Sequence, residues 1–275
     1  LALAFFLFVW IEEGQTVALE YLSAYFMEWS LSIDNIFIFI IIFSSFSVKE
    51  KLISRVLLIG ILMAIFFRVV FITVGVAVVT RFEWILYIFG AFLVYTGYHM
   101  FVATEEQEFD PKDSKVYRFL RRFLPLVPHD GNGRYVVREN GRPAYTTLFV
   151  VVIMLAAIDL VFALDSIPAV FGISRNKLVI YTSNIFAVLG LRSLYFLLRG
   201  AVSKFDYLQQ GIAIVLVFIG AKMIGEHWLN AWLDKNTQVF LSLGIIVTCI
   251  SGSVIYSIFI PKKGEPADRI DESVR

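Results

Sequence analysis

The chain of 275 residues is 59% hydrophobic and only 17% charged, with formal net charge +1 and a mean hydropathy of +0.77. That balance argues against a soluble enzyme, whose apolar share is about 45–50%, and the lack of a dense basic patch argues against nucleic acid as a partner. A single cysteine, Cys249, lies within an apolar run, so there is no disulfide framework and no thiolate metal cluster.

Residues 1–18 read as the end of a truncated N-terminal span and an outer loop, with the apolar part over 1–11. Apolar runs follow at 20–43, 55–79, 84–102, 147–171, 178–198, 208–225 and 239–260. Each approaches the ~20 residues that cross a hydrocarbon core about 30 Å thick. Backbone groups in lipid must be satisfied internally, by helices or a closed barrel. Barrel strands alternate apolar and polar residues, and VLLIGILMAIFF (56–67) does not. The expected fold class is an all-α polytopic membrane protein.

The 103–146 segment is the only sizeable polar piece. KVYRFLRRFL places Val116, Phe119, Leu120 and Phe123 at helical spacing against a basic face, as in a helix lying on the inner leaflet. RYVVRENGRPAYTT holds Asn140-Gly141 between strand-like runs, a hairpin signal. If every run crosses once, the loops near 44–54, 103–146 and 199–207 share a side with the tail 261–275. That side holds sixteen of the 24 Lys and Arg residues, against Arg81, Arg175, Lys177 and Lys235 opposite. The positive-inside rule makes the richer side, with the C-terminus, cytoplasmic.

EWSLSIDNIFIF (28–39) repeats in MLAAIDLVFALDSIPAVF (154–171). Glu28 falls on Asp159, Asp34 on Asp165 and Asn35 on Ser166. The next spans align Arg68 with Arg192, and the third pair aligns Gly97 with Gly220 and Met100 with Met223. The units are 19–102 and 147–228, followed by a last transmembrane helix over 229–260. Three spans per unit is an odd number, so the second unit enters from the opposite face. Such an inverted repeat is a secondary-transporter organisation, with its site at mid-depth between the repeats.

An ionised side chain at the bilayer centre costs about 2.5–3.5 kcal/mol on insertion scales, so the retained charges call for partners or a task. Residues seven apart on a helix differ by about 20°, which aligns Glu28 with Asn35 and Asp159 with Ser166. Asp34 and Asp165 sit one step round. Four carboxylates offset by Arg68 and Arg192 leave a charge of −2, the complement of a divalent cation. Carboxylate, amide and hydroxyl oxygens suit hard ions, Mn²⁺ ahead of Ca²⁺ or Mg²⁺. Pro168 frees the carbonyl of Leu164 as a further oxygen, and Asn184 is a supporting candidate. The competing reading is simple pairing of Asp34 or Asp165 with an arginine of the neighbouring span, although buried pairs are poor stabilisers compared with apolar packing.

EWSLSIDNIF, RFEWILYIFGAFLVYTG, DLVFALDSIPAVF and TSNIFAVLGLRSLYFLL resemble the TerC family of integral membrane proteins, closest to its Alx-like branch, from about Tyr21 to Trp228. The resemblance implies bacterial and plastid membrane proteins named for tellurite resistance and kinship with the LysE-type transporter superfamily. It also implies Mn²⁺ export and the supply of Mn²⁺ to exported proteins. Its acidic signatures fall on Glu28, Asp34, Asn35, Asp159, Asp165 and Ser166. One departure is Ala156, where many members carry a glutamate, which thins the oxygen set.

The expected function is therefore export of a divalent cation, with protons as a plausible coupling ion and a bacterial inner membrane, ahead of a plastid thylakoid, as the location. Two alternatives are an oxyanion or tellurite-resistance factor centred on Arg68 and Arg192, and a scaffold that docks a secretion-machinery partner through 103–146. With no nucleophile–base pair, phosphate loop or HExxH motif, the chain is not expected to be an enzyme.

Overall fold

A computed structural model describes residues 1–102, 110–139, 141–199 and 207–259, the side chains of Asp34 and Ile258 aside. The described chain is helical apart from one small hairpin. The helices are α1 (Ala2–Glu12), α2 (Gln15–Ser45), α3 (Glu50–Arg81), α4 (Ile85–Val102), α5 (Lys115–Phe123), α6 (Thr147–Ile173), α7 (Lys177–Leu198), α8 (Leu208–Ile224), α9 (Glu226–Trp232) and α10 (Lys235–Phe259).

Local chemistry sets several of these boundaries. Helix α3 runs 32 residues without a proline, with Glu50 in its first turn and Arg81 in its last, each complementing the helix dipole. The Asn176 side chain caps α7 by accepting from the Leu178 amide at 2.9 Å, and Ser114 caps α5 by accepting from Tyr117 at 3.1 Å. Pro168 lies inside α6 without ending it. Gly225 does end α8, and α9 departs from it at 79°.

Six described helices are long and apolar enough to cross a bilayer: α2, α3, α4, α6, α7 and the 235–257 part of α10. Helices α8 and α9 pass the same test only as a bent pair. The chain is thus an all-α polytopic membrane protein. Helix α2 packs on α6 and α7, α3 packs on α6 and α7, and α4 packs on α8. Helix α10 lies against α2 and α8.

The α4–α8 crossing is built on small residues. A Cβ at Gly220 would stand 2.5 Å from the Gly90 carbonyl oxygen, and one at Gly97 would stand 2.7 Å from that of Ala213. Backbones approach this closely only where side chains are absent or minimal.

In the polar segment, β1 (Val136–Glu139) pairs antiparallel with β2 (Arg142–Tyr145), with Gly141 at φ +78° in the turn. Asn140 lies outside the described residues, as do 103–109, 200–206 and the tail from 260. Leu120 buries α5 against the bundle, and Val116 packs beside it. Phe119 and Phe123, expected on the same apolar stripe, are exposed, with their rings 4.7 Å apart.

Candidate functional site

Arg68, in the middle of α3, is buried at 2% exposure, and four helices converge on it. Its guanidinium grips Asp159 of α6 with both edges, Nε to Oδ2 at 2.7 Å and Nη2 to Oδ1 at 3.0 Å. Its Nη1 donates to Glu28 Oε2 of α2 at 2.7 Å and to Asn184 Oδ1 of α7 at 2.9 Å. Asn184 is held in turn by its own Nδ2, which donates to the Ile180 carbonyl at 3.3 Å. The planar fork of arginine matches a carboxylate in this two-pronged manner, where a lysine would offer a single point charge. Glu28, Asp159 and Asn184 are each at most 1% exposed. The knot carries two carboxylates against one guanidinium, a formal charge of −1.

Along α2 the polar surface continues beyond the knot. Glu28, Ser32 and Asn35 follow at i, i+4 and i+7, which on a helix is one face. All three are buried. Among the described residues, Glu28 Oε1, Ser32 Oγ and both polar side-chain atoms of Asn35 have no hydrogen-bond partner, nor does Ser166 Oγ of α6. A buried polar group left unpaired costs about 1–3 kcal/mol, so such a row is expensive as pure structure.

Not every expected residue joins this centre. Asp165 is half-buried on another side of α6, because six residues amount to about 240° of helical turn from Asp159. Its contact is Thr96 Oγ1 of α4, at 3.5 Å. Leu164 has its side chain on the exposed face of α6. Arg192 is exposed and donates to Ser54 Oγ at 2.7 Å, so it contributes nothing to the charge around Arg68. Among the described side chains, Arg68 is paired with two acids, Glu28 and Asp159. The Asp34 side chain lies outside the described residues. Ala156, three residues before Asp159, is 1% exposed, so a glutamate there would project into the bundle interior. Among the described residues, no group of three His, Cys, Asp or Glu side chains is arranged to hold a metal.

Two features escaped the sequence reading. Ser32 carried a usable signal, its spacing between Glu28 and Asn35. The hollow beside Asp159, ringed by Phe39, Leu57, Ile61, Leu155 and Leu191, carried none. Leu155 closes tightly there, 3.1 Å from where a Cβ on Gly60 would stand.

Comparison with known proteins agrees with this architecture. Residues 13–265 match the integral membrane protein TerC family. The chain belongs to that family. It is 39% identical over 270 residues to "Uncharacterized membrane protein STKORF319" of Myxococcus xanthus, covering 98% of this chain and 84% of that protein. It is 43% identical over 257 residues to "Putative membrane-bound redox modulator Alx" of Escherichia coli (strain K12), covering 92% and 80%. The protein of the same name from Salmonella typhi is 38% identical over 249 residues, covering 90% and 75%. No solved structure matches the chain. These TerC-family relatives are bacterial membrane proteins, in keeping with the helices described above.

Proposed function

We propose that this TerC-family protein is a transporter that exports a hard divalent cation, Mn²⁺ foremost, through the oxygen-lined interior of α2 and α6. The observation that carries the reading is the buried row of Glu28 Oε1, Ser32, Asn35 and Ser166, which lack hydrogen-bond partners among the described residues. Arg68 holds Glu28 by one oxygen and leaves the other to face an ion. In this reading Arg68, Asp159 and Asn184 position Glu28, while Asn35, Ser166, Asp34 and Asp165 supply further oxygens as the cation moves. The ion is cargo, so a loose set of oxygens serves better than a tight cage.

An inverted three-helix repeat is part of the proposal. Two helix contacts support it. With α4 aligned on α8, Gly90 corresponds to Ala213 and Gly97 to Gly220. The Gly90–Gly220 approach then exchanges with the Gly97–Ala213 approach, as an approximate two-fold axis requires. Packing of α2 on α7 likewise mirrors α3 on α6.

The oxyanion alternative fares worse because Arg68 is buried and already gives four of its five N–H donors to two carboxylates and an amide. The relatives' name as redox modulators suggests thiol chemistry, but these 275 residues hold one cysteine and so no internal dithiol.

Mn²⁺ flux in proteoliposomes tests the reading. The wild-type chain is expected to move Mn²⁺, and Asn35→Ala and Asp165→Asn are expected to lower the rate about tenfold or more, with unchanged amounts of folded protein. Equal flux in all three proteins would remove the residues from the path, and no flux in the wild type would remove the function.

A further inference from the structure

At the end of the bundle away from the hairpin lies a cavity of about 270 Å³, well apart from the Arg68 knot. Its walls come from α2, α4, α6 with the α6–α7 connection, α8, α9 and α10, and its polar lining includes Glu20, Arg175, Lys222, Glu226 and Lys235. Three cations therefore face two carboxylates, a formal excess of +1.

The way these charges pair decides what is left over. Glu20 is buried at 1% exposure and both its oxygens are engaged. Ser174 Oγ donates to Oε2, and Lys235 Nζ stands 3.0 Å from Oε1. Glu226 is paired with Arg175. Lys222 has no carboxylate within ion-pair distance among the described residues. Its ammonium donates to Ser242 Oγ at 3.0 Å, and that hydroxyl donates onward to the Gln238 carbonyl at 2.8 Å. A lysine offers three donors, and one is used. Each acid lining the cavity already has a cation beside it, Glu20 with both oxygens in use and Glu226 through Oε2, while the Lys222 ammonium has only a hydroxyl, so the surplus charge there is positive.

From this arrangement we infer that the cavity is a binding site for a phosphate-type oxyanion, held by Lys222. A cation would share each carboxylate with Lys235 or Arg175 and add to the surplus positive charge. An oxyanion needs no such sharing and supplies acceptors for the unused ammonium protons. Phosphate chemistry can arrive as the free ion or as the headgroup of a lipid beside the bundle end, and both present the same oxygens.

The test uses the purified full chain in lipid-free amphipol, titrated calorimetrically with inorganic phosphate against a chloride background. Saturable binding is expected in the wild type and in Lys222→Arg, with Lys222→Gln weakened about tenfold or more, as suits the loss of a charge-assisted hydrogen bond. Thermal unfolding of each variant, with and without phosphate, separates lost binding from lost structure: phosphate should raise the midpoint of the wild type and the arginine variant only. Competition by a short-chain phosphatidylglycerol assigns the site to lipid headgroups, and failure to compete assigns it to the free ion; either result sustains the site. No saturable phosphate binding by the wild type, or equal binding by the glutamine variant, overturns it. No divalent metal enters the titration, so the outcome is independent of the transport reading.

Discussion

Arg68 and Arg192 occupy matching places in the repeated sequence, yet their surroundings differ in almost every respect. Arg68 is buried and bound by four hydrogen bonds from three helices. Arg192 is exposed, with one serine hydroxyl as its partner. The cause is helix length. Arg68 stands 13 residues before the end of α3 at Arg81, whereas Arg192 stands six before the end of α7 at Leu198. Duplicated sequence keeps the residue type but not the depth. An arginine near a helix end reaches polar surroundings that an arginine in mid-helix cannot.

The largest test of this contrast is to remove each guanidinium. Arg68→Met leaves two buried carboxylates without a counter-charge and should lower stability by about 3–5 kcal/mol, read as a collapse of the unfolding midpoint in detergent. Arg192→Met should stay within about 0.5 kcal/mol. Comparable losses in the two variants would mean that the difference in burial has no energetic meaning.

Next in size is the α4–α8 seam, where the two halves do behave alike. Gly97→Ala and Gly220→Ala each drive a methyl group into a facing backbone carbonyl. Both should cost about 1–3 kcal/mol, and to a similar extent. A large loss in one with none in the other would break the symmetry inferred for that seam.

Smaller still is the polar row. Asn35→Leu removes a buried amide with no partner among the described residues and places apolar surface in an apolar setting. Stability should hold or rise by up to about 1 kcal/mol. A clear loss of stability would mean that Asn35 is bound by something structural.

The smallest effect belongs to the polar segment. Asp130, held by Lys49 and by the Asn132 amide, titrates below its ordinary value near 3.8. A depressed carboxyl contributes stability that is fully present above the unfolded value and is lost as pH falls through the lower folded one. Acid should therefore loosen the 130–134 turn only below about pH 4, as followed by amide exchange. Loosening between pH 5 and 7 would refute the pairing.

Much of the architecture was readable from the chain because lipid imposes a coarse rule. Runs of apolar residues near 20 long became helices close to their expected limits, as with 178–198 against Lys177–Leu198. The hairpin followed from Asn140-Gly141 and the strand-like residues flanking it. The repeat was expected to bring its acids together, and pairing with an arginine was weighed only for Asp34 or Asp165, whereas the acids that Arg68 holds are Glu28 and Asp159. Three-dimensional detail was less accessible. Ser32 looked like an ordinary small residue until its neighbours proved equally unpaired. Asp165 shares a helix with Asp159 but faces Thr96, because a separation of six carries it onto another helical face. The Lys222 cavity draws on six helices, and no local pattern announces that kind of convergence.

The collar of Phe39, Leu57, Ile61, Leu155 and Leu191 beside Asp159 has its own consequence. The hollow leaves no room for water and, Asp159 aside, is lined by carbon, and hydrophobic constrictions of this sort block flow by drying out. In this arrangement of helices the protein is shut on that flank. If the protein transports as proposed, a path on that flank would pass one cargo per rearrangement rather than a continuous current.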